Sequence, residues 1–507
     1  MTFYSQIKWT QRKYILTCLV CIAISILLLL LRLDSNHSIT SNQYPEQQDP
    51  NLLINLTAAA QHRQSLYTPS MFIPDALQHN HFRPVAAVIL RTSHDQRAIY
   101  STVDYLHKYP FVKEIYIYNL VSSHPLAIQS FERPNPWLLH KVDIHIIEKS
   151  EQEDDGMLAF FSTCSLAIYD HCYLQTDRTL NLHMDSLYTQ FMRYPDLVHV
   201  NARSEEFLIH RRWQLHHQGG DVEMHAGFAN LLHGAIIPQS NAQLFLNQFA
   251  AQKTSSLNQK QMADVIFSFW TNSYPYILFN PFPLAIGQDP SFQKMLDAVR
   301  QLKNALADQS PYFIKNEIDP PLDQRDVRTA CDNDKCLFVT NLDPFPLTTE
   351  YNPDQNLTNS SLGSSVAWQH ELDVDIPGSE FYIHRGYHAA VDGDSGTCWN
   401  TYKVPNEGDY FGLDLIGNMR VSRLVIHLRH PMEQHIHEAF KIRALNKDDG
   451  WVDCSITVDS TQSLPRRAVF HMDCRDGKPI SAIRFFFTQT QSRSFDLCGL
   501  GLDNFIV

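Results

Sequence analysis

Three common catalytic signatures are missing from this sequence, and so is any long run of like charges. It contains no Walker phosphate-binding loop, no GxSxG nucleophile elbow and no GxGxxG dinucleotide fingerprint, so none of the enzyme classes that carry them is indicated. The formal net charge of −13 argues against nucleic acid or an anionic lipid surface as the main partner. No repeat of solenoid period is present.

One apolar run stands out near the N-terminus. Residues 14–31 contain no charged side chain, and eighteen residues at ~1.5 Å each span about 27 Å, close to the hydrocarbon thickness of a bilayer. Lys8, Arg12 and Lys13 precede the run, whereas one cation and one acid follow it. The positive-inside rule therefore predicts a type II anchor with residues 1–13 as a cytosolic tail. A cleaved signal peptide is the alternative, but no small-x-small cleavage site follows the run.

Such an anchor places the rest of the chain in the lumen of the Golgi or the ER, where disulfides and N-glycans form. Eight of the ten cysteines lie beyond the apolar run, an even number that allows up to four disulfides. Cys331 and Cys336 are closest in sequence, and no second Cys/His pair has the spacing of a zinc site. Four N-glycosylation sequons begin at Asn36, Asn55, Asn356 and Asn359.

The pattern beyond the anchor changes three times. Residues 32–80 are polar and lack sustained periodicity, which predicts a stem. In 81–310 apolar strands alternate with amphipathic helices, which predicts an α/β sheet domain. Residues 311–374 are predicted to be a packed segment with a strand at Cys336 and a linker, and the short strands of 375–507 predict an all-β sandwich. In the α/β part we expect strands near 86–90, 114–119, 143–147, 172–175, 197–201 and 276–280, and helices near 97–109, 157–169, 182–193, 258–271 and 292–306.

A polar turn, Thr176-Asp177-Arg178, follows the short apolar strand at 172–175. Ligands of open α/β sheets bind at the carboxyl ends of strands, so this turn is the first candidate site. Asp264 is the second candidate. It lies about 200° around its predicted helix from Met262 and off the apolar stripe, a position where a polar residue is commonly only solvated.

Several blocks of the sequence, in order, resemble a group of fungal-type membrane glycosyltransferases whose GT-A domain is similar to that of the exostosin family. The blocks are VAAVILRTSHDQR, KYPFVKEIYIYN, the stretch from AIYDHCYLQTDR to FLIHRRW, HAGF, and MADVIFSFWTNSYPYILFNP. The resemblance covers roughly residues 81–350. It implies a Rossmann-type nucleotide-sugar domain that transfers a sugar, with retention of configuration, to a glycan or glycoprotein acceptor.

The resemblance also implies roles for individual residues. Members carry three aspartates, which hold Mn²⁺ or Mg²⁺ beside the donor diphosphate, where this chain has Thr176, Asp177 and Arg178. One carboxylate alone does not make such a site. Asp177 is expected to contact the donor or a remaining metal ion, and Arg178 to contact the diphosphate without a metal; the alternative is an ordinary turn without a function. Asp264 would contact the sugar and stabilise positive charge at its anomeric carbon. Lesser candidates are Arg91 and Arg97 for the donor and His225 and Gly227 for the acceptor.

The C-terminal part resembles discoidin or coagulation-factor type C domains, in the stretches AAVDGDSGTCWN and GDYFGLDL. The resemblance implies a sugar-binding β-sandwich with a structural Ca²⁺ held by Asp392, Asp394 and Thr397; an ordinary Asp/Gly turn is the alternative. Trp399 is expected in the core.

The sequence as a whole predicts a lumenal, membrane-anchored glycosyltransferase with a carbohydrate-binding domain. The alternative is an inactive glycan-binding or scaffolding relative. Zinc binding by the histidines between His210 and His225 is disfavoured, because they lack HExxH spacing.

Overall fold

The fold was analysed in a computed structural model of the chain. It describes residues 50–61, 63–72, 82–121, 125–131, 142–149, 155–219, 222–251, 257–280, 291–313, 327–343, 349–352, 384–431, 436–446, 448–474, 477–502 and 505–506. The apolar run 14–31 and the predicted tail lie outside the described residues, so the anchor stays a prediction. Among the described helices, none is long and apolar enough to cross a bilayer.

Six strands of the α/β part lie within about two residues of their predicted positions, and a seventh begins at the predicted Cys336. The strands at 214–219, 222–227, 235–238, 327–330 and 349–350 were not predicted. Strand β1 is buried along its whole length, as expected for a central strand covered on both faces. The strands are β1 Val85–Arg91, β2 Val112–Asn119, β3 Asp143–Glu148, β4 His171–Thr176, β5 His199–Arg203, β6 Gln214–Gly219, β7 Val222–Gly227, β8 Ala235–Pro238, β9 Tyr276–Asn280, β10 Val327–Ala330, β11 Cys336–Thr340 and β12 Thr349–Glu350.

The predicted helices of this part are all present, with the one at 258–271 split in two. Three further helices were not predicted: one at 50–61, inside the segment interpreted as an unstructured stem, one at 207–212 and one at 239–251. The helices are α1 Pro50–Gln61, α2 Gln96–Leu106, α3 Leu158–Cys164, α4 Met184–Arg193, α5 Phe207–Arg212, α6 Gln239–Ala251, α7 Leu257–Gln261, α8 Ala263–Trp270 and α9 Phe292–Ala307.

The strand directions bring many carboxyl ends to one edge of the sheet. Strands β1, β2, β3 and β4 are parallel, and β5 is parallel to β9. Strand β8 lies antiparallel between β4 and β5, so these two point the same way as each other. The carboxyl ends of β1 to β5 and of β9 therefore meet at one edge, where ligands of α/β sheets bind.

The C-terminal residues form the predicted β-sandwich. One of its sheets contains β13, β15, β18, β19 and β21, with β22 paired to β21, and the other contains β14, β16, β17 and β20. Its elements are β13 Trp399–Asn400, β14 Tyr410–Met419, β15 Arg423–Leu428, α10 Ile436–Ala439, β16 Phe440–Asn446, β17 Gly450–Asp453, β18 Ser455–Val458, β19 Arg467–Asp473, β20 Ile480–Phe487, β21 Asp496–Leu502 and β22 Phe505–Ile506.

The sandwich and the α/β part share one sheet. Strand β11 pairs antiparallel with β10 on one side and with β14 on the other, which produces a continuous sheet of 13 strands from β3 to β17. The sandwich core extends into the α/β part through Phe207 and Phe279. Trp399 is 2% exposed in this core, as expected, and packs against Phe338 and Tyr387. Residues 353–383, which include most of the predicted linker, lie outside the described residues.

All eight cysteines beyond the apolar run form disulfides, as their even number allowed. The bridges join Cys331 to Cys336 and three further pairs, which are Cys164–Cys172, Cys398–Cys498 and Cys454–Cys474. The short loop closed by Cys331 and Cys336 is therefore a disulfide loop.

Two buried aspartates connect that loop to the N-terminal segment. The Asp334 carboxylate accepts hydrogen bonds from the backbone N–H groups of Asp185 and Ser186, at 3.0 and 2.9 Å, and so caps the first turn of α4. The Asp185 carboxylate in turn accepts from Ser65 Oγ and Leu66 N, each at 2.8 Å. The segment that follows α1 is thus attached to the α/β part through a carboxylate pair.

The free energy of unfolding is expected to rise when Asp334 is replaced by asparagine. Burial, followed by the negative charge of Asp185, raises the pKa of Asp334 well above its usual range, so ionisation of this group destabilises the native state. In the wild type stability should fall as pH rises above about 4 toward neutrality, because the native state binds more protons than the unfolded state. An asparagine keeps one acceptor and tolerates the φ of 55° that Asp334 adopts, so the variant should gain ~1 kcal/mol at neutral pH.

Thermal melts of the wild type and Asp334→Asn between pH 5 and pH 8 measure this effect. Asp297→Asn, which alters an exposed carboxylate on α9, is the matched control. A variant as pH-dependent as the wild type would contradict the assignment.

Candidate functional site at the carboxyl edge of the sheet

Polar side chains are buried at the ends of the parallel strands. Arg91, Asn119, Asp177 and Asn280 end or follow four different strands, Asn201 lies in the middle of β5, and each of the five is 0% exposed. Fully buried charged and amide side chains are rare unless they have partners. Their concentration at one edge marks this edge as the candidate site.

Asp177 holds the loop that follows β1. Its Oδ1 accepts hydrogen bonds from Thr92 N at 2.9 Å and Thr92 Oγ1 at 3.0 Å, and its Oδ2 accepts from Ser93 N at 3.0 Å. Burial raises the pKa of this carboxyl above its usual range, although these hydrogen bonds and the charge of Arg178 oppose the shift. Both oxygens are therefore engaged with the chain itself.

Arg91 continues the polar edge toward β3. Its Nη1 donates to Asn119 Oδ1 at 3.1 Å, and Asn119 Nδ2 donates to Glu148 Oε2 at 2.6 Å. Burial lowers the pKa of Arg91, while the charges of Asp177 and Glu148 oppose that shift. This chain of contacts fixes a buried cation between two acids at the carboxyl ends of β1, β2 and β3.

The other two candidate cations lie at the surface of the same loop. Arg178 is partly exposed, and its Nη2 lies 3.4 Å from Thr92 O. Arg97, whose side chain is 61% exposed, pairs with Asp95 at the start of α2 at 2.8 Å. Arg91, Asp177 and Arg178 are thus brought together around Thr92, whereas Arg97 faces solvent beside them.

A second cluster beyond β5 was not predicted. Glu206 Oε1 lies 3.2 Å from His233 Nε2, and Glu206 Oε2 lies 3.7 Å from His210 Nε2. Burial opposes ionisation of Glu206, but its contacts with His210 and His233 bring its pKa well below the usual range. Thr179 Oγ1 donates to Leu232 O at 2.9 Å, which connects this cluster to the Asp177 turn. Glu206 and His210 are only four residues apart, whereas His233 follows Glu206 by 27 residues, so only the fold reveals that second contact.

The other histidines of that region serve the β6–β7 hairpin. His216 and His225 are opposite each other on the two strands, and His225 Nε2 contacts Glu223 Oε1 at 2.8 Å. Gly227 lies beside Pro275, whose Cδ would be 2.6 Å from an added Cβ, so close packing requires glycine there. Across the described ranges, no group of three or more His, Cys, Asp or Glu side chains is placed to hold a metal ion.

Asp264 lies in the first turn of α8 and is partly buried. Burial raises its pKa to about 6, while the backbone N–H groups of its own turn and the charge of Lys294 oppose the shift. The preceding helix α7 reaches the carboxyl edge, because Lys260 Nζ lies 3.4 Å from Asp155 and Asp155 accepts from the Tyr118 hydroxyl at the end of β2. The turn after α8 contacts β7 through Asn272 Oδ1 and His225 N, 2.9 Å apart.

The predicted calcium ligands form a hydrogen-bonded turn. Asp392 Oδ1 accepts from Asp394 N at 2.9 Å, and the Thr397 hydroxyl lies 2.6 Å from Asp392 Oδ2 and 2.8 Å from Asp394 O. Burial raises the pKa of Asp392, while its hydrogen bond from Thr397 opposes the shift. The geometry closes an Asp/Gly turn by itself, and calcium binding there stays a prediction.

Comparison with known proteins gave matches among solved structures alone. No protein-family model matches the chain, and no curated protein sequence does. A mannosyltransferase from Pyrobaculum calidifontis, solved with GDP-Man and Mn²⁺, is 12% identical, with 54% of this chain and 77% of that chain covered and a TM-score of 0.28. The family 32 carbohydrate-binding module of C. perfringens NanJ, solved with galactose, is 18% identical, with 24% and 85% covered and a TM-score of 0.18.

A fragment of a putative chitobiase from Bacteroides thetaiotaomicron is 16% identical, with 24% of this chain and 78% of that chain covered and a TM-score of 0.19. All three TM-scores are below 0.5, so these likenesses carry no argument about the activity of this chain.

Proposed function

We propose that this protein is a glycosyltransferase that moves a sugar from a nucleotide-sugar donor to a glycan or glycoprotein acceptor. The observation that carries the proposal is the buried polar edge of the parallel sheet, where Arg91 and Arg178 lie at the ends of neighbouring strands. The partly exposed Arg178 guanidinium can bind a diphosphate by charge-assisted hydrogen bonds, whereas Arg91, which is 0% exposed, would add positive charge behind it. The sequence resemblance to GT-A enzymes supports the same function, and the type II anchor would place it in the Golgi or the ER.

The residues at the edge do not fit a donor-bound Mn²⁺ or Mg²⁺. Such ions need several oxygen ligands, whereas both oxygens of Asp177 accept hydrogen bonds from Thr92 and Ser93. We therefore assign charge neutralisation of the leaving nucleotide to Arg178, with Arg91 behind it, and we give Asp177 the task of positioning the β1 loop.

In the proposed reaction the bond between the anomeric carbon and the nucleotide's phosphate oxygen breaks. The acceptor hydroxyl oxygen then bonds to that carbon and gives up its proton to the phosphate oxygen of the departing nucleotide, which lies on the same face. Asp264, with a pKa of about 6, is mostly ionised at neutral pH and would stabilise the positive charge that develops at the anomeric carbon. Attack from the face that the nucleotide leaves would retain the configuration of the sugar.

A second candidate function is glycan binding without transfer. The Asp177 oxygens accept hydrogen bonds from the backbone and so do not form a metal site. A protein without that metal site can bind glycans without transferring a sugar. Thermal shifts of the full chain with UDP and with GDP, each with and without Mn²⁺, separate the two functions. A metal-independent shift that Arg178→Ala removes supports the transferase; no shift with either nucleotide supports glycan binding alone.

Replacing Asp264 with asparagine is expected to lower the rate of sugar transfer by roughly 100-fold, because a neutral amide cannot stabilise positive charge as a carboxylate does. Initial rates of donor turnover measure this. In the wild type the rate should also fall as pH drops through about 6, where Asp264 takes up its proton. Asp297→Asn is the control on an exposed helix face; equal rates in both variants would exclude Asp264 from the reaction.

A further inference from the structure

The outer face of the sandwich sheet carries more positive charge than its own acids neutralise. Three cationic side chains of this sheet, those of Lys441, Arg443 and Arg484, face two carboxylates, those of Asp414 and Asp453. Arg484 is only 7% exposed and pairs with Asp414, so the exposed positive charge is that of Lys441 and Arg443. The chain as a whole has a net charge of −13, so a local excess of cations is unusual for it. We call the surface formed by Lys441, Arg443, Trp451, Asp453 and Arg484 the cationic face.

Two arginines are opposite each other on this surface. Arg443 on β16 and Arg484 on β20 are direct cross-strand partners, an arrangement that destabilises a sheet when both residues carry the same charge. Gly412, the partner of Arg484 on β14, provides the room, since an added Cβ would lie 2.9 Å from Arg484 Cδ. Arg484 also pairs with Asp414, so the structural ion pair leaves Arg443 as the cation of this pair that can face a ligand at the surface.

An exposed aromatic ring lies beside these cations. Trp451, on the last strand of the sheet, is 39% exposed, and the Arg484 guanidinium lies 5.5 Å from its ring centroid. Arg443 Nη2 donates to Trp451 O at 3.2 Å. Asp453 pairs with both Lys441 and Arg443, at 3.1 and 3.2 Å, which keeps the two cations next to the ring.

We propose that the cationic face binds an acidic glycan, one whose sugar rings carry carboxylate or sulfate groups. The exposed indole offers an apolar plane for the C–H face of a sugar ring, and Lys441 and Arg443 offer charge-assisted hydrogen bonds to the acidic group. An acidic peptide would pair with the cations but would not offer a sugar ring to pack on the Trp451 indole. This binding does not depend on whether the carboxyl edge transfers a sugar.

Titration of the full chain with size-matched ligands tests the proposal. The ligands are hyaluronan oligosaccharides, which carry carboxylates, sulfated dextran oligosaccharides, neutral dextran oligosaccharides and polyglutamate. We expect at least one acidic glycan to bind with a Kd that rises at least tenfold between low and physiological salt, and neutral dextran to bind at least tenfold more weakly. The acidic glycan that binds more tightly shows whether the face recognises a carboxylate or a sulfate group. Polyglutamate binding as tightly as the acidic glycans would overturn the proposal in favour of a peptide partner.

Variants then locate the site. Trp451→Ala and Arg443→Gln should each raise the Kd for the acidic glycan at least tenfold, while Arg300→Gln, an exposed arginine paired with Asp297 on α9, should leave it unchanged. Trp451→Phe, which keeps a ring, should retain most of the affinity. Circular dichroism confirms that each variant is folded. The absence of binding by both acidic glycans, or equal losses in Arg443→Gln and Arg300→Gln, would refute the assignment.

Discussion

Replacing Asp177 with alanine is expected to lower the free energy of unfolding by about 3–5 kcal/mol, which is the range for breaking a buried, hydrogen-bonded charge. The substitution removes the acceptors of Thr92 N, Thr92 Oγ1 and Ser93 N. It also removes a negative charge that favours the ionised form of buried Arg91. Urea titration of the metal-free protein measures the loss.

Graded variants separate this structural role from metal binding. Asp177→Asn keeps one acceptor oxygen and should lose less, and Thr92→Val removes only the hydroxyl donor and should cost about 1 kcal/mol. If Asp177 instead holds a metal ion, Asp177→Ala should leave the metal-free protein about as stable as the wild type and abolish a stabilisation by Mn²⁺. That result would reverse the assignment made for this residue.

Replacing Asp414 with alanine should also cost about 3–5 kcal/mol, because it leaves buried cations without a counter-charge. Asp414 contacts three arginines that come from different elements. Arg484 Nη2 lies 2.5 Å from its Oδ1, and Arg193 and Arg328 lie 2.7 and 3.1 Å from its Oδ2. Arg328 is only 2% exposed. Denaturant titration followed by near- and far-UV circular dichroism measures the change.

Asp453 supplies the matched control, since it too is shared by two cations but its side chain is 61% exposed. Asp453→Ala should cost less than about 1 kcal/mol, as exposed ion pairs do. Burial opposes ionisation of Asp414, but the three arginines hold its pKa below the usual range. The stability that ionised Asp414 contributes is therefore present above about pH 4 and lost as pH falls further. In Asp414→Ala the free energy of unfolding should depend less on pH below about 4. Similar losses in the two alanine variants would show that burial of Asp414 does not matter.

The alternation of apolar strands and amphipathic helices predicted six strands and five helices of the α/β part, but not the β6–β7 hairpin or the antiparallel strand β8. A fully apolar stretch as short as 86–90 favours a strand covered on both faces, because a buried helix is usually longer. Helix α1 was missed because it is stabilised by distant contacts, such as that between Lys108 Nζ and Ala60 O at 2.7 Å, rather than by a strong pattern of its own. The sequence did not predict that the α/β part and the sandwich share one sheet, because the β11–β14 pairing joins segments about 75 residues apart.

The candidate site was predicted in part. The rule that ligands bind at strand ends located Asp177 and Arg178, and the fold does bring them together with Arg91. The sequence could not indicate that the Asp177 oxygens are engaged by Thr92 and Ser93, because that depends on the path of a loop 84 residues earlier. The contact of Glu206 with His233 is likewise a product of the tertiary fold.

The pairing of β11 with β14 leaves no hinge between the carboxyl edge of the sheet and the cationic face. Nine strand spacings of about 4.8 Å separate β4 from β17, a span of about 43 Å. A polysaccharide bound to the cationic face would reach the carboxyl edge only after a fixed number of its sugar units. The architecture would then work as a molecular ruler, and short oligosaccharides would gain nothing from being held at both ends.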